Sequence, residues 1–470
     1  MQQDNKIKKQ QIIGMLVSIA IVIIMYFMPA PADLGVAGWR TISILLVFLI
    51  LLVTEAFPAG VICIITLILM PVLGAIPSIG DGFTGFANPV TFFILASFGI
   101  SAAIAKMPIA HRILLVIIRL LKGSTRGIIF GIMVCTALFS SMVSNIPTTA
   151  IFMGIALGFL DIFEDEDEKK RTGKALMIAI PVSAMVGGVM TPAGSSLNLL
   201  VIGMLEQMTG ITVSFVQWMV FGIPLAIVIL PAAWLIITKV YHPADMDPDR
   251  LKAYVNTLNT HDKMDIKEKF VILVTLIMLV CWIASSWFPV FNVTMVALCG
   301  LFCLFLPKIG ALTWDEFVKS VSWQVFFLVG TVLTLGTAIS ANGIGNWLVA
   351  SFMPEQMSIT GPILIAICGF IGFAMLIVVP VAPAFIAVLA PAMISVAANC
   401  GYSPAILMII LGICAGNAYL LPLDTVPMIT YSKGFYKMSE MPKSTALIQV
   451  ILVVLMAVWF PLAGSIVGFI

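Results

Sequence analysis

The stretch 140–150 reads Ser-Ser-Met-Val-Ser-Asn-Ile-Pro-Thr-Thr-Ala and is set inside an apolar run from 128 to 160. Hydrocarbon gives no water to a free backbone amide, so a polar, proline-marked break at that depth survives only against protein or a wet cavity. A second break follows at Thr191-Pro192-Ala193-Gly194-Ser195-Ser196. Two more interrupt later apolar runs, at Pro380-Val381-Ala382-Pro383 and at Pro422-Leu423-Asp424-Thr425-Val426-Pro427. Each break exposes two kinds of backbone group. A half-helix N-terminus presents N–H groups and the positive end of the dipole, which suit a carboxylate. A half-helix C-terminus and unwound carbonyls suit a hard cation such as sodium. Ser140, Ser144, Asn145, Thr148, Thr149, Thr191, Ser195, Ser196, Asn198 and Thr425 add hydroxyl and amide groups to these places. A single Ser or Thr in a membrane helix commonly bonds its own i−4 carbonyl; so many polar groups collected at proline- or glycine-marked breaks point instead to a binding site. Asp424 is the one carboxylate placed deep in an apolar run. An intramembrane acid is expensive and marks function by default, here as a second cation or proton site; capping of a half-helix is the structural alternative.

The elements that carry these breaks must span a membrane. The chain has 470 residues, of which 61% are hydrophobic and only 10% charged. Many apolar runs approach the ~20 residues a spanning helix requires. The expected fold is an all-α polytopic membrane protein. Lys6, Lys8 and Lys9 precede the first apolar run, which has no clear cleavage site and is expected to remain as a helix at 12–28. Spans are expected at 41–53, 59–76 and 89–104, then an interfacial helix within 106–126, whose basic residues forbid crossing. A hairpin with its tip at 144–149, a broken helix at 173–208 and a span at 215–237 complete the first half. The second half repeats the order at 270–288, 293–306, 321–339, 343–352, 362–398, 404–436 and 447–467.

The spacing from Asn145 to Thr191 nearly matches that from Ala382 to Thr425, 46 against 43 residues. The halves enter the bilayer from opposite sides. The pattern is therefore an inverted repeat of about 11 transmembrane helices, each half with one re-entrant hairpin and one discontinuous helix. This threading puts every one of the 24 Lys and Arg residues except Arg40 on the cytoplasmic side. The N-terminus is then cytoplasmic and the host is the plasma (inner) membrane. The implied organisation is scaffold helices and an interfacial helix at 1–122, transport elements at 123–238, and a cytoplasmic linker at 239–269. Second-half scaffold follows at 270–356 and second-half transport elements at 357–470.

Net charge of +2 gives no case for a nucleic-acid partner. The eight cysteines are scattered through apolar segments, away from His or carboxylate, so neither metal cluster nor disulfide is expected. An enzyme would need clustered His, Cys or carboxylates at one depth; His111, His242 and His261 all fall in cytoplasmic segments. A channel would need a continuous polar stripe, whereas the polar groups cluster at breaks. No Lys or Arg lies in a span near the breaks. An anionic cargo must therefore be met by dipoles, amides or co-bound cations, which favours cation coupling and leaves anion exchange open.

At these residues the chain resembles the divalent anion/sodium symporter family, over nearly its whole length. Thr54-Glu55-Ala56-Phe57-Pro58 is similar to that family's Thr-Glu-Ala-x-Pro turn, and Ser144-Asn145 to the start of its Ser-Asn-Thr hairpin motif, with Ser140 at the preceding turn. Gly187 to Asn198 is similar to its Gly-Gly-x-x-Thr-x-x-Gly-Thr-Pro-Pro-Asn break, and Leu421 to Pro427 to its Leu-Pro-x-x-Thr-Pro-Pro break. The resemblance implies a secondary transporter of succinate, malate, fumarate, 2-oxoglutarate or citrate, without catalytic residues or organic cofactor. It implies a homodimer in the lipid bilayer whose transport domain moves like an elevator against a fixed scaffold. It implies sodium as coupling ion, held by Ser140, Ser144, Asn145 and the Gly194 carbonyl. It implies substrate contacts from Asn145 and Thr148, with Ser195, Thr425 and Pro427 completing the binding set. The chain departs from the family at Ile146, with hydroxyls displaced to Thr148 and Thr149, and at the second hairpin, where Val381-Ala382-Pro383 replaces another Ser-Asn-Thr. The second departure removes side-chain ligands, offers Asp424 as a replacement and keeps a sodium-independent dicarboxylate exchanger in view. A citrate or other anion transporter of the same superfamily, and a sodium/proton antiporter using Asp424, are the remaining readings.

Overall fold

The computed structural model describes residues 9–120, 124–245, 263–288, 290–352, 359–379 and 381–469. The middle of the expected linker, with His261, lies outside them. The described residues form helices and no strands. In chain order the first half holds α1 (Lys9–Phe27), α2 (Gly35–Val53), α3 (Ala59–Val72), α4 (Pro89–Ala105), α5 (Ile109–Leu120), α6 (Thr125–Ser140), α7 (Asn145–Leu160), α8 (Glu166–Gly188), α9 (Ser196–Thr209) and α10 (Phe215–Tyr241). The second holds α11 (Ile266–Ala284), α12 (Val293–Leu304), α13 (Trp314–Ser320), α14 (Trp323–Ala341), α15 (Ile344–Phe352), α16 (Gly361–Val378), α17 (Ala382–Asn399), α18 (Pro404–Gly416), α19 (Thr425–Tyr431) and α20 (Pro442–Val467).

Seven of these helices are long and apolar enough to cross a membrane, or eight if α4 and α5 count as one span. α4 and α5 meet at a bend of 65°, so the basic segment turns away from the helix before it, as its charge requires. Of α1 only Gly14, Ser18 and Met25 are buried, with Met15, Ile21 and Val22 half-buried against the core; most of the remaining apolar face is exposed, a surface suited to lipid rather than water.

The first hairpin is visible in its contacts. Phe139 and Phe152, on α6 and α7, bring their rings to 5.9 Å between centroids. Thirteen residues of continuous helix would hold them ~20 Å apart, so the chain reverses between them. Both arms lie on α8, whose Gly187 backs onto Ala137 and whose Gly188 backs onto Asn145. A Cβ at Gly187 would stand 2.2 Å from the Ala137 carbonyl oxygen, so only glycine lets α6 approach this closely. The second hairpin closes likewise, Gly361 at the start of α16 packing on Tyr402 just beyond α17.

The helix α8 stops at Gly188, a 3-10 turn spans Pro192–Gly194, and α9 begins at Ser196. In the second half the interruption is wider than the sequence suggests, running from Asn417 to Asp424 rather than starting at Pro422. The reason is local: Asn417 Nδ2 donates to the Ile413 carbonyl at 2.8 Å and closes α18 there. α20 starts earlier than expected, at Pro442, because proline at a helix's first position loses no hydrogen bond.

One end of the molecule is pinned by ion pairs. Arg112 on α5 meets Glu268 on α11, whose side chain is only 3% exposed. Lys106 donates to Glu316 at 2.6 Å and to the Ala311 carbonyl at 3.1 Å, and holds the Glu316 carboxyl down at about 2. Lys174 on α8 pairs with Glu440. The first two tie the first half to the second near α4 and α5; the third joins α8 to the turn before α20.

Because the hairpin seat depends on a glycine, Gly187→Val is expected to lower the stability of the purified protein by roughly 1–3 kcal/mol or more, the usual range for overpacking a close contact. Thermal unfolding in detergent measures it. An unchanged melting midpoint would mean that α6 can stand off α8 without loss.

Candidate functional site

All four breaks meet at one cavity of about 670 Å³. Its wall includes Ser144, Asn145 and Ile146 from the first hairpin and Ser195, Ser196 and Leu197 from the first broken helix. From the second half come Val381, Ala382 and Pro383, and then Asp424, Thr425 and Val426. These residues are the first turns of α7, α9, α17 and α19. Four helix N-termini therefore point their positive dipole ends at the same space. Each carries roughly half an elementary charge, so four supply about +2 in sum. Two of them, at Ser144 and Val381, have no side-chain cap of their own. No Lys, Arg or His is among the lining residues. The positive charge of the wall thus comes from backbone alone, and the carboxylates of Asp424 and Glu55 stand against it.

The opposite side comes from Gln11, Glu55, Gln324 and apolar neighbours. Glu55 does not cap the next helix, as its place in the turn suggests; Pro58 occupies that position without a side-chain cap. Instead Glu55 adopts a left-handed backbone, φ 48°, its carbonyl accepts from Gln11 Nε2 at 2.9 Å, and it borders the cavity. Gln324, in the first turn of α14, carries no sequence signal beyond being polar in an apolar helix.

Behind the hairpin tip lies a second arrangement. Ser140 is fully buried and Asn145 only 7% exposed. One corner of the Asn145 amide is ringed by oxygens: Ser140 Oγ at 2.7 Å, Ala184 O at 3.0 Å and Gly194 O at 3.3 Å. With Nδ2 turned to this corner, the amide donates to all three. Turned the other way, Oδ1 accepts from Ser140 Oγ at 2.7 Å and faces two carbonyl oxygens, an arrangement that a small cation between them would stabilise. Nearby, α6 and α8 end at Ser140 and Gly188, so the negative ends of two dipoles are at the same place. Carbonyl, hydroxyl and amide oxygen are the ligands sodium takes. Serine, asparagine and glycine carbonyl thus come together here, while Ser144 lies at the cavity wall with its N–H toward Ser101 Oγ at 3.4 Å.

Other expected residues are placed differently. Thr148 is fully buried and its hydroxyl donates to Val143 O at 3.2 Å, behind the tip and off the cavity wall. Thr191 donates to Ser141 O and accepts from Gly194 N at 3.1 Å; Asn198 Nδ2 donates to the carbonyls of Gly188 and Thr191 at 2.8 and 3.0 Å. These two stitch the break. Ser195 caps α9 by accepting from Leu197 N at 3.3 Å while bordering the cavity. Pro427 is buried, and its carbonyl accepts from Thr430 and Tyr436. Asp424 caps α19 through a long bond from Val426 N, 3.5 Å. A further cavity of about 440 Å³, toward Asn88, Glu206 and Asn292, contains of the four breaks only Pro192.

The chain matches the family model described as the sodium:sulfate symporter transmembrane region over residues 9–470. It is 26% identical over 455 residues to the sodium-dependent dicarboxylate transporter SdcS of Staphylococcus aureus strain USA300, covering 92% of this chain and 87% of that protein. A protein described only as a membrane protein, from Cupriavidus necator, is 26% identical over 352 residues, 71% of this chain and 68% of the relative. Among solved structures, the Alcanivorax borkumensis YdaH transporter superposes with a TM-score of 0.51 at 13% identity, covering 98% of this chain and 99% of that one. The last comparison bears on the fold alone.

The oxygen-ringed corner makes a direct prediction. Asn145→Ala removes one ligand and the amide that organises the others. The sodium concentration for half-maximal thermal stabilisation should rise about tenfold or more, since a hydrogen-bonding group facing a charge is worth about 1.5–3 kcal/mol. Melting curves in sodium and in potassium measure this; an unaltered sodium response would exclude Asn145 as a ligand.

Proposed function

The chain belongs to the sodium:sulfate symporter family, the divalent anion/sodium symporters, and on that premise we propose that it is a secondary active transporter of C4-type dicarboxylates. Succinate, malate and fumarate, and the longer 2-oxoglutarate, fit the charge of the site. The observation that carries this reading is the convergence of four helix N-termini on a cavity without Lys, Arg or His. Their partial positive charges favour an anion at this place. The name of the Staphylococcus relatives supports the same cargo.

Asn145, Ser195 and Thr425 meet the cargo at the cavity wall, with Thr148 and Pro427 holding the hairpin tip and the second break from behind. Sodium binds at Ser140, Asn145 and Gly194 O, with Ser144 beside them at the cavity wall. Its charge lies just behind the first-half N-termini and offsets repulsion as the anion enters, so each ligand strengthens the other's binding. That mutual dependence is what symport needs.

The architecture behind this reading is the inverted repeat of about 11 spans with N-terminus and basic loops in the cytoplasm of the plasma membrane. Residues 123–238 and 357–470 form the moving body, and 1–122 and 270–356 the scaffold, in a homodimer. The bonds that cross between these two sets favour movement. They are isolated side-chain contacts, such as Ser144 N to Ser101 Oγ at 3.4 Å and Ser395 Oγ to Gly345 O at 3.1 Å. Small residues smooth the seam, with Gly203 facing Val90 and Leu333, and Gly336 facing Met204.

A second reading, sodium-independent dicarboxylate exchange, draws on the apolar tip Val381-Ala382-Pro383, which offers no side-chain ligand in the second half. Uptake of radiolabelled succinate into proteoliposomes decides between them. Coupled symport predicts accumulation that needs an inward sodium gradient and continues with empty vesicles. Stimulation by internal dicarboxylate with no sodium dependence would replace symport by exchange, and no uptake under either condition would remove the cargo assignment.

A further inference from the structure

Both hairpin tips present carbon to the central cavity. Ile146, next to Asn145 in the first tip, is 42% exposed and borders the cavity. Val381 and Pro383 form the second tip. Leu197, from the start of α9, and Val325 and Leu328, from α14, belong to the same wall. Leu197, Val325, Val381 and Pro383 are half-buried, so part of each side chain stays uncovered. Apolar surface left facing water is unfavourable in proportion to its area, and a cargo built of carboxylates and hydroxyls alone does not cover it.

The polar groups of the wall are unevenly shared. Ser144, Asn145, Ser195 and Ser196 gather at the first-half helix starts. From the second half, Thr425 brings the only hydroxyl among the described lining residues. Pro383 and Pro427 stand in the first turns of α17 and α19 and have no N–H to give. The second half therefore meets an anion through dipoles more than through hydrogen bonds, and a hydroxyl on the cargo finds few partners there. The cavity, about 670 Å³, lies in the range that takes a drug-sized ligand, more space than an unbranched C4 acid fills.

We propose that the site selects dicarboxylates whose carbon skeleton carries an alkyl branch or extra methylene groups over hydroxylated acids, with Ile146 and Val381 as the specificity-determining residues. One carboxylate lies at the first-half starts, against Ser144, Asn145 and Ser195, and the alkyl part covers Ile146 and Val381. A hydroxyl in the same place gives up its water and meets only carbon, which lowers affinity. This names the cargo class within the dicarboxylate reading above and rests on it.

Racemic 2-methylsuccinate and racemic malate differ only in a methyl against a hydroxyl at one carbon. Calorimetric binding of each, and of succinate, to the purified full-length protein in sodium buffer tests the inference apart from the reading it rests on. Methylsuccinate should bind about fourfold tighter than succinate, the effect of one buried carbon, and about tenfold or more tighter than malate. Ile146→Thr and Val381→Ser each place a hydroxyl at the wall, and each should narrow the methylsuccinate-to-malate ratio by about fivefold or more. A residue that merely shapes the cavity would weaken both ligands alike. If succinate binds and malate equals or exceeds methylsuccinate, the proposal is overturned and the dicarboxylate reading stands. A ratio unmoved in both folded variants also overturns it. Binding of none of the three acids removes the proposal and the reading together.

Discussion

A backbone broken inside hydrocarbon has to find its hydrogen bonds within the protein, and the architecture answers to that constraint. At the first broken helix the answer is nearly complete. The Thr191 hydroxyl bridges Ser141 O and Gly194 N, and Asn198 covers two carbonyls. What is left over is Asn198 Oδ1, buried without a partner among the described residues, and the helix start at Ser195 and Ser196 that faces the central cavity. The break is stitched at the back by Thr191 and Asn198 and open at the front where a ligand would lie.

Each break puts one helix end against another helix start, and this sorts charge in space. The starts of α7, α9, α17 and α19 look into the cavity, while α6 and α8 finish beside the oxygen cluster at Asn145. In the proposed function an anion in front and a cation behind would be separated by about one turn of backbone. A lysine or arginine would hold an anion more strongly, but it would also demand a partner whenever the cavity emptied, at a depth where a lone charge is severely penalised. Dipoles carry no such demand. They are fixed by the fold and need no counter-ion when the site is vacant.

The halves share a plan and differ in chemistry. In the first, hydroxyls and an amide cluster at the hairpin tip. In the second, the tip is Val381, Ala382 and Pro383, and the polar groups are at the break, as Asn417, Asp424 and Thr425. The difference is tolerated because helix starts, which do not depend on side-chain identity, face the cavity from both halves.

Composition alone determined that the chain lives in a membrane. Proline, glycine and clustered hydroxyls located all four breaks, because few other patterns survive burial in hydrocarbon. Charge placement anticipated that the segment after α4 would turn aside, and it does, at 65°. Tertiary structure decided what spacing cannot encode. Whether a buried hydroxyl faces a ligand or a carbonyl depends on rotation within a helix turn, so Thr148 pointing to Val143 and Asn198 to Gly188 were invisible in a list of polar residues. Gln324 gave no warning, since it is a lone polar residue whose meaning comes from neighbours hundreds of positions away. The early end of α18 at Asn417 turned on one side-chain bond. Segments are written in local sequence because hydrophobic burial and backbone satisfaction are local demands; a site is a meeting of segments, and only packing sets which ends meet.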